Sequence, residues 1–193
     1  MFICYNAGMS EKILVIYAHA TAHKSRVNRR LAQAARTVPG VRVHDLYETY
    51  PDFHIDVGAE QALLAEADVL VFLHPVQWYS MPALLKEWVD CVLQAGWAYG
   101  KGGAALAGKA YWLVVTCGSS EEDYDAAGAH GRAFDAYLPP FRQTAALCKM
   151  HWEAPLILYG AHKIDNPAVD AHVEAFRQRL AALAQPDLQP DLD

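Results

Sequence analysis

The sequence predicts an α/β fold in which five parallel strands are covered by helices on both faces. Apolar runs of strand length alternate strictly with helical patterns, and parallel neighbours need crossovers, which are nearly always right-handed. The 193 residues fit one large domain, and 53% of them are hydrophobic. That is enough to bury a sizeable core without disulfides or a structural metal.

Each element follows from its local pattern. The first strand is read at 13–18, followed by a polar loop and a helix at about 25–37, which Pro39 and Gly40 end. The second strand is read at 41–46. A helical pattern near 58–66 leads to the third strand, 68–73, and then to a helix at 82–93 with Leu84, Leu85, Trp88 and Val89 at helical spacing. The glycine-rich connector GWAYGKGGAALAGK precedes the fourth strand, 110–116. After a loop come a helix near 134–149, the fifth strand at 154–159 and a closing helix at 167–184. No repeat and no internal linker interrupts this order, so residues 11–185 read as a single domain. Residues 1–10, which contain a second Met at position 9, and 186–193 read as flexible ends.

Two strand orders suit such a sheet: the flavodoxin-like 2-1-3-4-5 and the Rossmann order. Five strands and the lack of a GxGxxG after the first favour the flavodoxin-like order. Its switch point lies between the first and third strands, so a ligand is expected beyond their carboxyl ends. Those ends are the loops AHATAHKSRVN, at 18–28, and HPVQWYS, at 74–80.

Composition removes several function classes. A net charge of -6 argues against nucleic acid, which calls for a basic face. Cys4, Cys91, Cys117 and Cys148 are far apart with no CxxC pair, against a zinc site or a disulfide scaffold. No apolar run approaches the roughly 18 residues of a membrane span, and no signal sequence opens the chain. A soluble, cytoplasmic protein is expected.

Three loops carry the candidate chemistry. In the first, Ser25 is placed to cap the next helix, and the amides of Arg26, Val27 and Asn28 would face an anion such as a phosphate. His19 and His23 form HxxxH without a Glu-bearing helix, and no metal is assigned to them. In the second, Val76, Gln77, Trp78 and Tyr79 put two aromatics in a turn where Gly, Asn or Asp would be ordinary. Alone they read as half-buried cover for the sheet end. Beside a phosphate loop at the same switch point they indicate a flat heteroaromatic ligand. A phosphate at one end and a flat ring at the other describe a flavin nucleotide. In the third, Thr116, Cys117, Gly118 and Ser119 allow close backbone approach to a ring edge. Tyr124 and His130 follow as a hydroxyl and an imidazole able to donate protons or stabilise an anion. Cys117 has no base at a recognisable spacing, and the acidic run Glu121-Glu122-Asp123 reads as a solvated loop face.

With these motifs in order, residues 12–183 resemble the flavodoxin-like NAD(P)H:quinone oxidoreductases. Within that family they are most similar to the ancillary quinone reductases of glutathione-gated potassium-efflux systems. The resemblance rests on the loop with His19, Ser25 and Asn28, on YPDFHID at 50–56, on HPVQWYSMPALLKEWVD, on GWAYGKGGAALAGK and on TCGSSEEDYDAAGAHG. It implies that His19 and residues 25–28 hold the flavin phosphate, and that residues 76–79 and 116–119 surround the isoalloxazine. It also implies that Tyr124 and His130, which match a Tyr and a His six residues apart in the animal-type enzymes, assist hydride transfer. Cys117 and Ser119 flank a single Gly118 where the family reads Thr-Gly-Gly.

The resulting expectation is a two-electron flavoenzyme in which NAD(P)H delivers hydride to the flavin and a quinone then receives it. FMN is favoured over FAD by the short loop after His23 and the chain length. A homodimer is implied by the resemblance, as is peripheral association with a potassium-efflux transporter at the inner face of the membrane. Two other readings remain open: a regulatory flavin-binding partner of such a transporter, and a flavodoxin-type electron carrier. The carrier is disfavoured because AHATAHKS is not a Gly-containing, Ser/Thr-rich phosphate loop.

Overall fold

The computed structural model describes residues 12–184, so the expectations for both chain ends lie outside the described residues. The sheet is parallel with order β2-β1-β3-β4-β5, and a sixth strand also pairs with β4. The elements are β1 (Ile13–Tyr17), α1 (Asn28–Ala35), β2 (Val41–Asp45), α2 (Leu46–Thr49), α3 (Val57–Glu66), β3 (Val69–Pro75), α4 (Ala83–Val92), β4 (Ala110–Thr116), α5 (Pro139–Leu147), β5 (His151–Trp152), β6 (Leu156–Leu158) and α6 (Asn166–Leu183). Short 3-10 turns at Ala22–Lys24, Glu122–Tyr124 and Phe134–Tyr137 complete the list.

Side-chain alternation in the central strands explains the two-sided cover. Ile13, Val15 and Tyr17 of β1, with Val69, Val71 and Leu73 of β3 and Trp112 and Val114 of β4, join Leu31, Ala32, Val169 and Phe176 on one face. Leu14, Ile16, Leu70, Phe72, Tyr111 and Leu113 point the other way, against Leu64, Leu84, Leu85, Trp88 and Phe141. Successive strand side chains point to opposite faces. A strand apolar at every position is therefore stable only when helices cover both sides. Each buried Leu, Ile, Val or Phe contributes about 2 kcal/mol.

Four of the differences from the sequence reading have a clear local reason. The second strand stops at Asp45, because its carboxylate accepts from Tyr47 and Glu48 amides and starts α2. The helix expected at 25–37 spans only Asn28–Ala35. Ser25 is not its N-cap; its Oγ accepts from the Arg29 amide at 3.3 Å, and Val27 occupies the cap position. The helix expected at 134–149 is divided at Pro139-Pro140, where proline fits the first turn of a new helix and not the interior of a longer one. The fifth strand is split: β5 pairs with Ala110 and Tyr111, and β6 pairs with Val114–Thr116. Pro155, which has no amide to donate, lies between the two pieces.

Candidate functional site

The carboxyl ends of β1, β3 and β4 open into a cleft of about 280 Å³. His19, Ser25, Arg26, Val27, Asn28, Val76, Thr116, Cys117 and Gly118, all singled out in the sequence, line it. So do Thr21, Lys24, Pro75, Ala161 and His162, which were not. The first two lie in the same loop as His19. Ala161 and His162 belong to the β6–α6 loop and carry no motif; only the strand order brings them here.

A buried hydrogen bond fixes the floor. Asn28 Nδ2 donates to Thr116 Oγ1 at 2.7 Å, and the Thr116 carbonyl accepts from the Val76 amide at 2.8 Å. The start of α1, the end of β4 and the β3 loop are thereby held together. Asn28 is 3% exposed, and its Oδ1 has no partner among the described residues. Buried amide oxygens are nearly always bonded, so an unpaired one lining a cleft marks a place for an external donor. The backbone amides of Arg26, Val27 and Asn28 likewise make no hydrogen bond among the described residues. They open the eight-residue α1, whose cap position supplies no side-chain acceptor. Three unpaired donors and the positive end of a helix are an arrangement able to hold an anion.

The remaining polar groups around the floor are electrically quiet. Burial pushes the Tyr17 phenol up to about 12, and its buried hydroxyl has no partner of hydrogen-bonding geometry among the described residues. Burial also lowers the His19 imidazole, whose Nδ1 accepts from the Thr21 amide at 3.2 Å. Cys117 is 1% exposed, with its thiol pushed up to about 12 by burial, so it is neutral and no nucleophile at neutral pH. Directly under the β3 loop, His74 is fully buried and stacked on Phe141. Burial lowers it to about 4, and its Nδ1 lies 3.0 Å from the Pro75 carbonyl.

Gln77, Trp78 and Tyr79 stand beside the cleft rather than in its lining. Gln77 and Ser80 exchange backbone hydrogen bonds of 3.2 and 3.0 Å across a tight turn. Its two central residues, Trp78 (φ 48°) and Tyr79 (φ 62°), are both left-handed. Such a turn ordinarily uses Asn-Gly, and a residue with a Cβ costs about 1–2 kcal/mol there. The strain holds Trp78 93% exposed. Tyr79 stacks on Tyr137, with ring centroids 4.9 Å apart, and its hydroxyl reaches His130 Nδ1 at 3.4 Å.

Tyr124 and His130 are together, but outside the cleft lining. Their rings stack with centroids 4.2 Å apart. Tyr124 is 9% exposed, and its phenol, raised by burial and by neighbouring Cys117, faces that sulfur. The Nε2 of His130 is buried without a partner. Tyr79, Tyr124, His130, Phe134, Tyr137 and Tyr159 form a continuous aromatic cluster between the hairpin turn and the β4 loop. Ser119 lies on the far side of the β4 loop, in a hollow shared with Ser120, Tyr159, Gly160 and Lys163.

No helix among the described residues is long and apolar enough to cross a membrane. No group of three or more His, Cys, Asp or Glu side chains among them could hold a metal ion.

Against this geometry, comparison with known proteins is specific. The chain is 46% identical over 171 residues to the glutathione-regulated potassium-efflux system ancillary protein KefG of Pectobacterium atrosepticum, covering 89% of this chain and 93% of that protein. General stress protein 14 of Treponema denticola, solved in complex with FMN, superposes with a TM-score of 0.80 at 36% identity, over 91% of this chain and 98% of its own. An NADPH-quinone reductase of P. pentosaceus gives a TM-score of 0.80 at 28% identity, over 88% and 97% of the two chains. Residues 11–180 match the family described as Flavodoxin-like fold. With order 2-1-3-4-5 and a cleft at its switch point, the chain belongs to that flavodoxin-like family, among relatives that include potassium-efflux ancillary proteins and quinone reductases.

Proposed function

We propose that the protein is an FMN-dependent NAD(P)H:quinone oxidoreductase that carries out two-electron reduction of quinones or related electrophiles. The observation that carries this reading is the set of unpaired amides at Arg26, Val27 and Asn28, beside the unpaired Asn28 Oδ1, in one cleft. A phosphate needs the donors, and a sugar-like hydroxyl next to it needs the acceptor. The FMN bound by the Treponema denticola protein and the reductase from P. pentosaceus supply the class of ligand and reaction.

A bound flavin would supply hydride chemistry, accepting from a nicotinamide and giving to a quinone at its own ring. The protein's part is binding, orientation and charge control. Residues 25–28, with His19, hold the anionic end. Thr116, Cys117, Gly118 and Val76 line the cleft beyond it, and Ser119 continues the β4 loop. Gly118, with no Cβ, leaves room for the His162 ring at the cleft wall. Gln77, Trp78 and Tyr79 provide an exposed, largely aromatic wall for the flavin ring or its substrate. To His130, within reach of the Tyr79 hydroxyl and stacked on Tyr124, we assign the donation of a proton or hydrogen bond as charge develops. A homodimer would cover the exposed Trp78 wall. The likeness to the ancillary protein KefG supports a peripheral association with a potassium-efflux transporter at the inner face of the membrane.

The test is a spectrum of the purified protein supplemented with FMN, reduced anaerobically with NADH or NADPH and then given a quinone. Bleaching of the flavin bands and their recovery on adding quinone is the expected result. Failure to bind flavin, or to reoxidise with quinone, overturns the reading.

A further inference from the structure

The β6–α6 loop forms a wall of the cleft, and it is tied down at three places. Gly160 turns the chain with φ 64°. Its amide donates to the Ser119 carbonyl at 2.7 Å, and the Ala161 amide donates to the Cys117 carbonyl at 2.8 Å. The amides of Lys163 and Ile164 both return to the Gly160 carbonyl, at 2.8 and 2.9 Å. The loop is therefore fixed to the loop after β4 and tightly wound on itself. His162 is carried over Gly118: a Cβ built there would lie 3.1 Å from His162 Cδ2 and 3.2 Å from Nε2. The imidazole fills the space that a side chain at 118 would take.

The other side of this wall is a contact between distant parts of the chain. The Arg26 guanidinium donates to the Ile164 carbonyl. Arg26 lies just before α1 and Ile164 just before α6, so the contact bridges the gap between the two helix starts beside the unpaired amides. Lys24 and His162 line the same cleft.

We propose that Arg26 and His162 make the site selective for a flavin mononucleotide over a dinucleotide. This inference rests on the flavin reading above and names the residues that decide which flavin is held. A terminal phosphate monoester carries close to two negative charges at neutral pH and ends at the amides, where Lys24 and His162 add donors. The pyrophosphate of a dinucleotide has to continue past that point. Its path between α1 and α6 is closed by the Arg26–Ile164 contact, and over Gly118 by the His162 ring.

The experiment is a titration of flavin-free protein with FMN and with FAD, read by flavin fluorescence, for wild type, Arg26→Ala and His162→Ala. Circular dichroism melting confirms that each variant folds. Wild type is expected to bind FMN at least about tenfold more tightly than FAD. Both variants are expected to narrow the preference for FMN over FAD about fivefold: Arg26→Ala by opening the path between α1 and α6 to FAD, and His162→Ala by weakening FMN while admitting FAD over Gly118. Equal wild-type affinity for the two flavins overturns the inference and leaves the flavin reading intact. So does a shift of both flavins by the same factor in both variants. If neither flavin binds wild type, the flavin reading itself fails and this inference falls with it.

Discussion

The side chain of Asn28 donates to the hydroxyl of Thr116 across 2.7 Å of buried space, tying the first turn of α1 to the last residue of β4. Those residues are 88 positions apart in sequence. Thr116→Val keeps the shape, removes the acceptor and leaves the Asn28 amide group unpaired. A buried unsatisfied donor costs about 1–3 kcal/mol. We expect a modest fall in melting temperature, and a loss of FMN affinity of about tenfold or more as Asn28 turns away from the cleft. Equilibrium titration beside a melting curve separates the two effects. Unchanged affinity in a destabilised variant would assign the pair to stability alone.

The turn at Trp78 and Tyr79 predicts a gain in stability at the expense of function. Both residues are left-handed, and Asn-Gly accommodates that backbone without strain. The double variant Trp78→Asn, Tyr79→Gly should be more stable by about 1–2 kcal/mol. It should also lose the aromatic wall and the Tyr79 hydroxyl at His130, raising KM for quinone several-fold. Chemical denaturation and steady-state kinetics on the same preparation test both halves. A less stable double variant would show that the Tyr79–Tyr137 stack outweighs the backbone strain.

Behind the site, Glu60 is 1% exposed and accepts from Tyr50 Oη at 2.6 Å and Trp88 Nε1 at 2.7 Å, with His44 Nε2 2.8 Å away. Burial acts to raise its carboxyl, but the three partners outweigh burial and hold it below the usual glutamate range. Glu60→Gln puts an amide where all three donors expect a carboxylate. It should cost about 2–4 kcal/mol at neutral pH, a fall in melting temperature of roughly 5–15 °C. The pH dependence follows from the direction of the shift. A folded-state value below the unfolded one gives stability that is complete above the unfolded value and disappears as pH falls through the folded one. The gap between wild type and Glu60→Gln should therefore narrow as pH drops below about 4. A gap that stays constant with pH would mean the carboxylate's charge contributes nothing.

The sheet was legible because its evidence is periodic and redundant. β1, β3 and β4 are apolar at nearly every position, and such strands have one stable environment, between two layers of helices. Boundaries set by single side chains were harder to read. The Asp45 carboxylate begins a helix within a stretch read as strand end, and Pro139-Pro140 starts a new helix inside a longer helical pattern. The cleft-lining residues of the loops after β1 and β4 were recognisable because each lies within a contiguous motif. His162 was not: nothing near it in sequence marks it, and only the packing of the β6–α6 loop against Cys117 and Ser119 brings it over Gly118. The six-residue spacing of Tyr124 and His130 likewise did not show that their rings stack on each other, or that the Tyr124 phenol turns toward Cys117.

The strained hairpin also gives the protein a built-in optical probe. Of the five tryptophans, Trp88 and Trp112 are fully buried and Trp97 and Trp152 are partly covered, whereas Trp78 stands 93% exposed at the cleft edge. Emission on the red side of the tryptophan band should therefore come mainly from Trp78, and it should report contact at the hairpin without a label. A flat acceptor ring arriving there would quench it by energy transfer, while a protein surface would shift it to the blue. The backbone geometry that holds this indole in water thus lets cofactor loading and subunit association be followed separately, in one cuvette.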